Sequence, residues 1–155
     1  MRNILILLLF FFPIFVSCES VFDFNGAWAL KESYDSWKKG NSEEIIATEI
    51  KIGEKTYLYL THSIIFNSYK KPAIFSVPGG KWKINNIEKM SDSLYSMILE
   101  SMKTKGVTAT VSINILSDKS IYFTTTSMSN AFKLEFDQSF LLKGKEFSYI
   151  RCDSK

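Results

Sequence analysis

From residue 107 to residue 115 the chain reads VTATVSINI, in which Val107, Ala109, Val111, Ile113 and Ile115 alternate with Thr108, Thr110, Ser112 and Asn114. A period of two puts successive side chains on opposite faces, so such a segment is a strand with one face in a core and the other toward water. The polar link Leu116–Lys119 leads into SIYFTTTS, which pairs with it as a hairpin. Further period-two candidates are Phe24–Lys31, Ile45–Ile52, Thr56–His62, Lys81–Glu88 and Leu94–Ser101. Phe132, Leu134 and Phe136 alternate with charged residues, and Phe147, Tyr149 and Arg151 share one face of a last strand. Gly53-Glu54-Lys55 and Lys105-Gly106 read as tight links. Ser42-Glu43-Glu44-Ile45 is the best helical start, with serine as cap and acids near the N-terminus. The sum is about eight to ten short strands with turns every 8–12 residues, the spacing of an all-β barrel or sandwich. Closing the sheet removes its exposed edges, which favours an antiparallel up-and-down barrel over a β-sandwich.

The chain has 155 residues and a formal net charge of +3, enough for one domain and too little charge for a nucleic-acid partner. Lysine pairs are spread among acids, the pattern of an ordinary solvated surface. Ahead of the strands lies MRNILILLLFFFPIFVSCES. Its apolar run is shorter than the roughly 20 residues a spanning helix needs, and Pro13 interrupts it. A basic start, an apolar centre and a small-residue exit describe an export signal over residues 1–17. Cys18 ends that run, and the other cysteine is Cys152. A disulfide between them would close a loop worth roughly 4–5 kcal/mol in the chain-entropy model. The alternative is a modified Cys18 with an unpaired, buried Cys152.

Phe15-Val16-Ser17-Cys18 resembles the lipobox of bacterial lipoproteins, with Phe where that family usually carries Leu. The resemblance implies a diacylglyceryl group on the Cys18 thiol, cleavage before Cys18, a lipidated linker over residues 18–21 and a single barrel domain over 22–155. The expected location is a bacterial cell envelope, with the membrane as partner through acyl chains.

Gly26-Ala27-Trp28 on the first strand resembles the Gly-x-Trp opening of lipocalin-like barrels. That resemblance makes Trp28 the residue that closes one end, against a basic side chain of the last strand, for which Arg151 stands in the right place. Gly80-Lys81-Trp82 repeats the pattern in mid-chain. An eight-stranded barrel is either filled by its own side chains or encloses one small ligand. The expected lining of such a site is Tyr95, Met97, Leu99, Val107 and Val111, with loops 31–44 and 66–80 at the opening and Trp37 covering it. A filled barrel would instead use Tyr34, Trp37, Tyr69 and Phe75, if exposed, to meet envelope proteins.

Catalytic patterns are thin. His62 is the one histidine, no G-x-S-x-G elbow occurs, and ligands at zinc spacing are missing from the sequence. Gly79-Gly80 lacks the strand-to-helix setting and lysine of a phosphate loop. The expectation is a non-enzymatic protein without metal or cofactor, binding a small apolar ligand or acting as an interaction module.

Overall fold

A computed structural model describes residues 21–40, 45–129 and 146–154. Among these residues the strands are β1 (Gly26–Leu30), β2 (Ala47–Ile52), β3 (Lys55–Leu60), β4 (Ile64–Asn67), β5 (Ile74–Val77), β6 (Gly80–Lys89), β7 (Leu94–Ser101), β8 (Thr108–Ser117), β9 (Ser120–Met128) and β10 (Glu146–Arg151), and the helix is α1 (Lys31–Lys38). Eight of them close a barrel in the order β1-β10-β9-β8-β7-β6-β5-β4, every neighbouring pair antiparallel. Sequential strands are neighbours throughout, except that α1 and the separate β2–β3 hairpin intervene between β1 and β4. This is the all-β up-and-down barrel that the alternation predicts, and it is lipocalin-like as the Gly-x-Trp resemblance implies.

Alternation decides what lies inside. In β8, Ala109, Val111 and Ile113 are buried while the residues between them are not. Rings from several strands then stack along the lumen. Phe24 meets Phe66 at 5.7 Å, Phe66 meets Phe75 at 4.9 Å, Phe75 meets Phe123 at 5.6 Å and Phe123 meets Tyr149 at 6.2 Å. Trp28, Trp82, Phe75, Met97, Leu99 and Val111 are all 1% exposed or less. The middle of the barrel is filled.

Outside the barrel, Ala27 and Ala29 of β1 face away from the lumen yet are fully buried. Ile52 and Tyr57 of the hairpin cover the first, and Leu60 and Cys152 pack with the second, joined by Tyr34 and Trp37 from α1. The hairpin is fastened by Leu58 N–H donating to the Cys152 carbonyl at 2.8 Å and Ser154 N–H donating to the Thr56 carbonyl at 3.3 Å. Alanine suits this wall because a larger side chain would hold the hairpin off.

Several expectations are corrected here. Residues 31–38 are helix, and Trp37 lies against the outer wall of β1 rather than over an opening. The span 66–80 contains β5, whose Phe75 is fully buried and meets no partner at the surface. The proposed helix start at Ser42, the strand at Phe132–Phe136 and the whole leader with Cys18 lie outside the described residues.

Candidate functional site

The two ends of the barrel differ. One holds the start of β1, the 68–73 link, the 90–93 turn, the 118–119 turn and the end of β10; the other holds the end of β1, the 61–63 and 78–79 turns and the 102–107 link. The first is where the sequence motif lies. Trp28 pairs directly with Arg151 across β1 and β10, which puts both side chains on one face of the sheet. The guanidinium carbon stands 5.6 Å from the Trp28 ring centroid, a cation–π distance. Trp28 Nε1 donates to the Phe24 carbonyl at 2.9 Å, fixing the indole beneath the entering chain. Arg151 Nη1 donates to the Asp23 carbonyl at 3.3 Å, and its Nε lies 3.4 Å from Asp153 Oδ1, close enough for an ion pair but not aligned as a hydrogen bond.

Gly26 makes this approach possible. Its φ is +146°, and a Cβ there would lie 3.0 Å from Tyr57 Cε1 and 3.2 Å from Arg151 Cδ. Glycine alone leaves room for the ring on one side and the arginine stem on the other. Trp82, in the second Gly-x-Trp, is also buried, but pairs with Phe75 and Ser101 inside the wall.

Above Trp28 at the same end is a cavity of about 380 Å³ lined mainly by apolar side chains, among them Phe22, Phe24, Phe66, Ile84, Ile87 and Tyr95. Its volume lies at the lower end of the range for small-molecule pockets. Phe22 roofs it: Phe22 N–H donates to Tyr95 Oη at 3.3 Å, and its ring meets Phe24 edge-on at 4.9 Å. Lys89 stands at the rim, 3.2 Å from Asp92. A bulge between Ile84 and Asn86 shifts the register of β6. Ile84 and Ile87 thereby line the same cavity three residues apart, a spacing that strict alternation does not produce.

Of the five residues expected to line a ligand site, Tyr95 reaches this cavity. Met97, Leu99, Val107 and Val111 are core, none more than 3% exposed. The two loops expected to flank one opening are separated: α1 begins at the end of β1 opposite to the 68–73 link.

A second cavity, of about 660 Å³, lies between α1 and the hairpin, lined by Tyr34, Trp37, Lys38, Glu49, Leu58 and Cys152. Cys152 is a free, buried thiol, and burial pushes it up to about 11, so it is protonated at neutral pH and a poor nucleophile. Inside the barrel, Tyr149 Oη and Thr125 Oγ1 are buried with no hydrogen-bond partner among the described residues, and burial raises the Tyr149 phenol above its ordinary range. His62 is exposed at a positive φ of 69° in the turn between β3 and β4. Among the described residues no three His, Cys, Asp or Glu side chains gather where they could hold one metal ion.

The fold therefore defines a closed, all-β, lipocalin-like barrel with an arginine-capped tryptophan at one end. No protein-family model matches the chain, and neither curated proteins nor solved structures yield a match.

Proposed function

We propose that this is an exported bacterial lipoprotein, tethered to a membrane of the cell envelope through acyl chains on Cys18, whose barrel is a non-enzymatic interaction module. The observation that carries the module reading is the filled lumen: among the described residues Trp28, Phe75, Met97, Leu99, Val111 and Phe123 pack together in its middle, each fully buried. The tether rests on the sequence, where Cys18 closes the apolar run. Mass spectrometry of the membrane fraction tests it. A chain beginning at Cys18 with an added acyl mass is the expected result, and one beginning there without that mass overturns the tether.

The 380 Å³ cavity supports a second reading, in which one small apolar molecule sits at the barrel end rather than in its middle. Titration with medium-chain fatty acids then raises the thermal midpoint and changes the tryptophan emission, and Ile87→Glu removes both responses. An unchanged midpoint across the series leaves the module reading alone.

A further inference from the structure

Among the described residues, exposed large apolar side chains lie mostly at one end of the barrel. Nine large hydrophobics are exposed among the described residues, and six of them, Val21, Tyr69, Ile87, Met90, Leu94 and Leu116, lie at the Trp28 end. Four are well out in solvent: Val21 at 72%, Tyr69 at 62%, Met90 at 58% and Leu116 at 50%. They sit on separate connections: Tyr69 between β4 and β5, Met90 between β6 and β7, Leu116 by the β8–β9 turn and Val21 ahead of β1. Apolar side chains on separate connections and at a strand end, gathered at one end of a barrel, make a rim rather than a stray patch. Lys70 and Lys71 stand beside Tyr69, Lys89 beside Met90 and Lys119 just after Leu116, with Asp92 and Asp118 interspersed.

We infer that this rim is a membrane-docking surface: the barrel stands on the lipid interface on its Trp28 end, with Val21, Tyr69, Met90 and Leu116 entering the headgroup region. What selects a bilayer as the occupant is the chain that precedes the rim. Val21 belongs to the rim, and Cys18 is three residues earlier. Three residues span at most about 11 Å when fully extended. The polar layer on each side of a bilayer is roughly 5–8 Å thick. An acyl anchor on Cys18 therefore cannot let the rim rise far above the headgroups. Apolar tips with lysines at their flanks suit that depth, where side chains with an apolar body and a polar or charged end are stable. The end cavity, with Ile87 and Phe22 in its walls, belongs to the same face.

This inference rests on the proposed tether, and the experiment separates the two. The full chain is produced in a bacterium that processes lipoproteins, with Cys152→Ala and one added label site in each variant: Met90→Cys, Leu116→Cys, or, at the opposite end, Met102→Cys and Ile46→Cys. The purified proteins are placed in vesicles of phosphatidylethanolamine and phosphatidylglycerol. Nitroxide labels then report accessibility to oxygen, which enriches in lipid, against a water-soluble nickel chelate. The expected result is a severalfold higher oxygen-to-nickel ratio at positions 90 and 116 than at 102 and 46, lost when the vesicles are replaced by detergent-free solution. Equal ratios at both ends on an acylated, vesicle-bound chain overturn the docking surface and leave the tether standing. Shielding at 90 and 116 that persists without vesicles assigns the rim to a protein contact, a second copy included, and also overturns it. A chain that stays in the soluble fraction without acyl mass overturns the tether and the inference together. Unlabelled Met90→Ser with Leu116→Ser, whose circular dichroism is unchanged, provides a check independent of the labels: it weakens vesicle protection of the rim from proteolysis.

Discussion

At Gly26 two demands meet, a positive φ and a space already occupied by the Tyr57 ring and the Arg151 stem. Gly26→Ala is expected to destabilise the fold by about 1–3 kcal/mol, read as a lower denaturation midpoint, because backbone and contacts both resist a Cβ. A side chain can also be worth more when absent. Tyr149 is fully buried in the barrel and its hydroxyl has no partner among the described residues. Burying an unpaired hydroxyl costs free energy that its ring does not need to spend. Tyr149→Phe is accordingly expected to raise stability by about 1 kcal/mol in chemical denaturation, whereas Tyr149→Ala removes the ring from Phe123 and lowers it by roughly 3–5 kcal/mol. The expectation that Trp28 meets Arg151 came from the Gly-x-Trp resemblance, and in the structure the two are register partners across β1 and β10. The roles of Phe75 and Trp37 were not readable from the sequence: an aromatic residue in a span assigned to a loop gives no sign of which way it faces.

Among the elements, the long strands announced themselves. β7, β8 and β9 alternate over eight or more residues, and their observed bounds lie within a residue or two of the expected ones. β4 and β5 are four residues each, IIFN and IFSV, too short to show a period. The end cavity was equally hidden, since it depends on the β6 bulge and on how Phe22 and Phe24 fold over the barrel end. The hairpin is the element whose purpose came only from the structure. Most of β2 is exposed and its one buried residue is Ile52, so in sequence it resembles a free ribbon. In place it covers a stripe of small residues on β1. Ala29→Leu should push it away, costing about 1–3 kcal/mol by overpacking, and should speed hydrogen exchange at Leu58 more than in β8.

For the whole molecule, alkaline pH is the condition that strains the fold. Cys152 goes from an ordinary value of 9.0 to about 11 on burial, and the Tyr149 phenol is also raised. Above pH 9 the unfolded chain releases these protons while the folded one retains them, so unfolding gains and stability falls as pH rises; below 9 neither group contributes a slope. The Cys152 share amounts to about 2–3 kcal/mol between pH 9 and 11. Denaturant midpoints measured across that range should decline, and Cys152→Ala should flatten the first part of the decline. The closed ring has a kinetic counterpart. Trp28 pairs with Arg151, so the seam that completes the barrel joins residues separated by nearly the whole chain. Until β10 arrives, β1 and β9 present open edges with unsatisfied amides and a greasy inner face. A chain delivered N-terminus first through a translocation pore would hold its aromatic column exposed until its last strand emerged, and over that interval it would depend on a holding chaperone.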